Sequence, residues 1–179
     1  METNQTSLND LVSSSALSGM PGVFGHDPAR MGTRLSESDL MFLYKAAHAG
    51  AAEVALGELA QSHATRPEVQ QFAEQMVREH RKNNEALQRL ARDKGVELEL
   101  APDTEDGQLL DRLRHLDAAE FDDEYLQHAG VYAHSVVERL FNQEASNGTD
   151  ADLRRFAEQT LPVIRHHLDM AQQLTHPSA

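Results

Sequence analysis

Between Ser36 and Leu174 apolar residues recur three and four positions apart, and most glycines and prolines fall between the repeating blocks. That period belongs to amphipathic α-helix, and it leaves little room for any other element. The first block, residues 38–63, opens on Ser38 and Asp39 and puts Phe42, Leu43, Ala46, Ala49, Gly50, Glu53, Leu56, Gly57 and Ala60 on one face. Its small residues allow a neighbouring helix to approach closely. The second, residues 67–94, begins with Pro67 and stops at Gly95, the usual asymmetry of helix ends. Val69, Phe72, Ala73, Met76, His80, Leu87 and Leu90 form its stripe. "VELELAPDTEDG" alternates like a strand but has no partner, so it is expected to be loop, and residues 108–116 a short helix. The third main helix is expected over residues 120–145, with Phe121, Tyr125, Val131, His134, Val137, Leu140 and Phe141 inward. After the turn "SNGTD", capped by Thr149 or Asp150, the fourth spans residues 151–174 on Leu153, Phe156, Ala157, Leu161, Ile164, His167, Leu168, Ala171 and Leu174. Pro162 lies inside it and should kink it or leave a carbonyl free.

Four such helices, joined by two short turns and one longer crossing between the second and third, predict an all-α antiparallel four-helix bundle. The stripes are too wide for a bare coiled-coil seam. Residues 1–35, rich in Ser, Thr, Asn, Gly and Pro and without a period, are expected to be a flexible tail, residues 36–175 the bundle, and residues 176–179 a second tail.

Composition excludes several classes of function. The 179-residue chain has no cysteine, so no disulfide, thiolate ligand or cysteine nucleophile is available. Acidic residues outnumber basic ones 29 to 16, and the formal charge of −13 would repel a nucleic-acid backbone or an anionic membrane. No apolar run reaches the roughly 18 residues of a membrane span. The first residues carry no basic and apolar leader pattern, which leaves a cytoplasmic protein or a mature exported chain with a start methionine.

Each inward stripe carries one ionisable residue: Glu53, His80, His134 and His167. Each sits near the middle of its helix, and at ~1.5 Å per residue an antiparallel bundle brings the four to one level. Buried apart, they would cost several kcal/mol in unpaired polar groups, so they must share partners. One transition-metal ion is the most economical partner. Three imidazole nitrogens and a carboxylate oxygen suit Zn²⁺, Fe²⁺, Mn²⁺ or Cu²⁺. Glu138, one turn beyond His134, is a candidate additional ligand or supporting carboxylate. The competing reading is a metal-free His/Glu hydrogen-bond network.

The remaining candidates carry less. Asp122 reads as a cap for the third helix and Tyr125 as a core residue with a bonded hydroxyl, both too far along the helix from His134 to join the central level. His48, His63, His115, His128 and His176 fall on polar faces or ends, and Met41, Met76 and Met170 read as core filler. No histidine follows a glutamate by three residues, which speaks against a carboxylate-bridged di-iron centre. There is no phosphate-binding glycine loop and no Gly-x-Ser-x-Gly, so no catalytic residues are assigned.

"SDLMFLYKAAHAGAAEVALGELA", "PEVQQFAEQMVREH", "FDDEYLQHAGVYAH" and "DLRRFAEQTLPVIRHHLDMAQQL" together resemble the bacterial domain-of-unknown-function family 4142, placed among ferritin-like bundles. The resemblance runs over residues 38–174 and marks Glu53, His80, Asp122, Tyr125, His134 and His167. It implies a ferritin-like bundle and, because many relatives carry an export leader, a periplasmic address. An acidic residue often precedes the third-helix histidine in the family, where this chain has Ala133. The expected function is therefore transition-metal binding through Glu53, His80, His134 and His167 in metal handling or stress protection. A non-catalytic envelope or stress interaction module with a metal-free His/Glu core is the alternative.

Overall fold

The computed structural model describes residues 35–176; residues 1–34 of the expected first tail and 177–179 of the second lie outside the described residues. Ser36 starts α1 (Glu37–His63) with a reciprocal cap, its hydroxyl accepting from the Asp39 N–H while the Asp39 carboxylate accepts from the Ser36 N–H. After a short turn, Pro67 opens α2 (Pro67–Asp93), which ends on Gly95 at φ 76°. The Val96 N–H then bonds back to the Ala91 carbonyl, closing the last turn as a left-handed glycine allows.

The segment from Val96 to Asp103 is loop, as expected, and its alternation has a physical origin. Val96, Leu98 and Leu100 pack against the core while Glu97 and Glu99 face solvent. It is an extended strap with one apolar edge. A short α3 (Thr104–Arg114) starts four residues before the expected position, because Asp103 caps it by accepting from the Asp106 N–H.

The third main helix departs from the expected continuous α-helix. It consists of α4 (Ala118–Tyr125), a π-helical segment (Leu126–Ala133) and α5 (His134–Asn147). Asp117, rather than Asp122, caps its start, accepting from the Glu120 N–H. Asp122 is buried and turned toward the α1–α2 turn, where it accepts from the N–H and hydroxyl of Thr65 and the N–H of Arg66. Tyr125 is buried as expected, but its hydroxyl has no hydrogen-bond partner. Asp150 caps α6 (Ala151–Thr175) by accepting from the N–H groups of Asp152 and Leu153, and the helix runs on through Pro162.

α1 packs along α2, and α6 packs along the π segment and α5, with further contacts between α2 and α6 and between α1 and α5. The result is a bundle of four long helical rods, the third of them composite. Among the described residues no helix is long and apolar enough to cross a membrane. The interior divides into two apolar clusters. One gathers Leu56, Phe72, Met76, Phe121, Tyr125 and Leu126, and the other Phe42, Leu43, Leu87, Phe141, Leu153 and Ile164. Between them on every rod lies a buried polar side chain: Glu53 on α1, His80 and Asn84 on α2, His134 on α5 and His167 on α6.

Small residues bring α1 onto α2. A Cβ at Gly57 would come 2.8 Å from Val77 Cγ2 and 3.3 Å from the Ala73 carbonyl oxygen, whereas Gly107 in α3 has open space around it. Alanine favours helix over glycine by about 1 kcal/mol, but overpacking a buried interface costs about 1–3 kcal/mol. Gly57→Ala should therefore lower the melting temperature and Gly107→Ala should hold or raise it. Equal gains from both, read by thermal unfolding, would refute the close approach.

At the opposite end the Asp39 carboxylate also accepts from the N–H and hydroxyl of Thr149. Burial acts to raise its pKa, but these bonds together with those from Ser36 hold it below the ordinary value. Burial first, and then the neighbouring Asp39 carboxylate, push Glu144 up to about 7. A carboxyl raised on folding contributes stability that is fully present below its unfolded pKa and is lost as pH rises through the folded one. Replacing it with a permanently neutral amide, Glu144→Gln, should thus stabilise the protein relative to wild type, and more at pH 8 than at pH 5. Denaturant titrations at pH 5 and pH 8 check this; a difference that does not grow with pH contradicts it.

Candidate metal centre

The polar layer holds three imidazoles in mutual contact, His134 edge-on to both others and His80 tilted at 45° to His167. The ring centroids of His80, His134 and His167 form a near-equilateral triangle, 5.6 Å between His80 and His134 and 5.3 Å on each of the other two sides. One nitrogen from each ring lies within 4.8 Å of the other two. Nitrogens on a tetrahedral ion with bonds of about 2.0 Å stand about 3.3 Å apart, so small ring rotations would close the triangle on one ion. All three side chains are buried.

Burial removes the proton from these rings. It sets His80 well below its ordinary value, helped by the neighbouring His134 and His167. His134 falls to about 4, through burial and then the His167 charge. Burial also lowers His167, against an upward pull from Glu79. At neutral pH the layer therefore presents neutral imidazoles, each with a lone pair to donate.

On two of the rings a hydrogen bond at the outer nitrogen fixes which lone pair remains. The π winding brings the Ala129 carbonyl, five residues back, to 2.9 Å from His134 Nδ1, which donates to it and leaves Nε2 free. π segments of this kind recur at functional sites. His167 Nε2 donates to Glu79 Oε2 at 2.8 Å, leaving Nδ1 free. Although burial would raise Glu79, its bond to His167 holds it below the ordinary value. His80 Nε2, His134 Nε2 and His167 Nδ1 are all buried without a hydrogen-bond partner. Two of these nitrogens, on His134 and His167, are held as acceptors by the bonds on their other sides, and three partnerless nitrogens in one layer are what an absent cation would satisfy; an outer carboxylate or carbonyl on a histidine is the usual support of a metal ligand.

Glu53 lies beside His134 on the side of its outer nitrogen and is not part of the three-histidine group. Its Oε1 is 3.7 Å from His134 Nδ1, and its Oε2 is buried with no partner. Burial, followed by the Asp106 charge, raises it well above the ordinary carboxylate value. A bound cation would reverse that preference and release the proton. The structure thus brings the three expected histidines together and sets the expected glutamate beside His134. Tyr125 packs in the apolar cluster beside this layer, as expected, and burial first, then the Glu53 charge, raise its hydroxyl well above the ordinary value.

Glu138 is elsewhere. It accepts from Arg165 Nε at 2.8 Å on the outside of the bundle, which corrects its expected place at the site. The supporting carboxylate is Glu79, which the sequence reading missed. Glu79 is one residue, hence about 100° of helix, from His80 and reads as the polar edge of the stripe. Only the neighbouring position of α6 makes that edge a partner for His167. Of the outlying histidines, His63, His115 and His176 are exposed as expected. His48 and His128 are half-buried, His48 being fixed by its Nδ1 at 2.7 Å from the Ala101 carbonyl oxygen. Met76 is core, Met170 packs against it, and Met41 is exposed rather than core filler.

The centre is reachable from solvent. A cleft of about 470 Å³ between α2 and α6 has Glu53, His80, His134 and His167 in its lining.

The geometry can be set beside known proteins. None of the curated proteins matches the chain. A solved structure described as "CopM in the Cu(II)-bound form" is similar in fold, with a TM-score of 0.63, covering 77% of this chain and 95% of that one at 13% identity. The family model described as a domain of unknown function, DUF4142, matches residues 25–174, and the chain belongs to that family.

Proposed function

We propose that this protein is a ferritin-like metal-binding bundle that holds one transition-metal ion in metal handling or stress protection. His80 Nε2, His134 Nε2 and His167 Nδ1 would be the nitrogen ligands and Glu53 the fourth donor, through the oxygen that has no other partner. The observation that carries this reading is the set of buried nitrogens and a carboxylate oxygen from different rods that have no hydrogen-bond partner. An uncompensated buried polar atom costs about 1–3 kcal/mol. Retaining several in one layer without an occupant would be a heavy load on a small domain.

The donor set has no thiolate and three neutral nitrogens, which favours a borderline divalent ion. Affinity for such sites peaks at Cu²⁺ in the divalent series, with Zn²⁺ the main competitor. The copper named for the similar structure makes Cu²⁺ the first ion to try. The ion would act as cargo or as a held centre, and this chain's own residues would keep the rings neutral and fix the tautomers of His134 and His167.

The alternative, a metal-free His/Glu core in an interaction module, is supported by the two direct bonds from His134 to Ala129 and from His167 to Glu79. The two readings part on metal content. Protein purified without a histidine tag should carry about one equivalent of ion by elemental analysis. At 100 times its dissociation constant that ion stabilises the fold by about 2.7 kcal/mol, so chelator should lower the melting temperature. His80→Ala should abolish both the metal and the chelator effect. Metal-free protein that neither takes up Cu²⁺ or Zn²⁺ nor responds to them in a melt would establish the alternative.

Glu79→Gln separates support from ligation. The ring of His167 would lose its anionic partner but keep its inward nitrogen, so affinity should fall about 10–100-fold with stoichiometry unchanged. Competition titration against a chromophoric chelator reads this. An unchanged dissociation constant would show that the Glu79 contact does not support the site.

A further inference from the structure

The cleft is larger than an ion requires. Its volume of about 470 Å³ falls among small-molecule sites of roughly 300–1,000 Å³, while a water occupies about 30 Å³. Away from the histidines its walls are mostly apolar, made by Ala46 and Ala49 of α1, Val137 and Phe141 of α5 and Ile164 of α6, with Asn83 and Thr160 as polar exceptions bonded to each other. Exposed Arg78 and Lys82 of α2 and exposed Gln159 and Val163 of α6 also line it. These four mark its mouth.

Charge at that mouth runs against the rest of the molecule. Arg78 and Lys82 lie one turn apart on the same edge of α2. The carboxylate beside them, Glu79, is already engaged, through Oε2 with His167 and through Oε1 at 3.5 Å from Arg78. Lys82 has no carboxylate partner among the described residues. Two cations against one engaged carboxylate leave the mouth positive on a chain of formal charge −13. Low-dielectric walls focus such a potential into a cleft.

We propose that the cleft binds a small organic anion, a monocarboxylate with an aliphatic body. The body lies on the wall formed by Ala46, Val137, Phe141 and Ile164, and the carboxylate sits at Lys82 and Arg78. A neutral molecule of the same shape forgoes the charged rim, and an inorganic anion forgoes the walls. The site shares its cleft with the proposed metal centre, whose ion would add to the positive potential, but the anion needs no bond to that ion.

The test titrates the full chain by calorimetry with hexanoate, hexanol and inorganic phosphate, metal-free and after zinc addition. The same titrations are run on Lys82→Glu and Arg78→Glu, whose side chains are solvent-exposed, so folding should be unaffected. Hexanoate should bind wild type in both forms, at least about tenfold more tightly than hexanol or phosphate, a gap of about 1.4 kcal/mol. Each charge reversal should weaken hexanoate by about tenfold or more, and Lys82→Glu should keep its metal content. Absence of hexanoate binding, equal binding of hexanol, or indifference to both reversals would overturn the proposal. Protein that binds hexanoate but takes up no metal would sink the metal reading alone; protein that binds metal but no hexanoate would sink this one alone.

Discussion

Everything distinctive about this bundle follows from one constraint: a layer of buried polar side chains crosses it between two apolar clusters, and the layer is not self-sufficient. Glu53, His80, His134 and His167 each leave an atom without a hydrogen-bond partner. An all-apolar layer of similar volume would pack without that cost. The polar layer therefore makes sense through what it can hold, and the rest of the fold can be read as the means of holding it at one height.

That height is set at both ends by buried aspartates, each joining one helical hairpin to the other. Asp39, at the start of α1, takes the backbone and hydroxyl of Thr149 in the α5–α6 turn. Asp122, on α4, takes Thr65 and Arg66 in the α1–α2 turn. Both join residues distant in sequence, so each turn is pinned to the opposite pair of rods. A slip of either hairpin would break these bonds and leave a buried carboxylate unsatisfied. Within this frame the π segment adds a local adjustment. It rewinds the third rod just before His134 and gives that ring a carbonyl to donate to, which selects the nitrogen it offers inward.

Much of this was legible in the sequence, for reasons that also explain what was not. The stripes, the cap at Asp150 and the stop at Gly95 are local signals, and they fix helices and turns through residues near one another in the chain, although the cap of α1 is Ser36 rather than the expected opening at Ser38. His80, His134 and His167 were visible because a titratable ring on an apolar stripe is conspicuous, and because a place near the middle of each helix brings them to about one level. The cap role of Asp122, the bonded hydroxyl of Tyr125 and the site role of Glu138 were misread, and Glu79 was missed, for a common reason. Their partners, or the lack of one, depend on which rod lies beside which, and that is long-range information. The π segment was invisible because its composition, "LQHAGVYA", suits an α-helix equally well.

The most direct test of the central claim is an anomalous difference map at the metal edge, from crystals of the untagged protein soaked in Cu²⁺ or Zn²⁺. The account requires a single dominant peak inside the triangle of His80, His134 and His167, with Glu53 at its side. Density confined to surface histidines such as His166 or His176, with the buried rings unliganded, would contradict it.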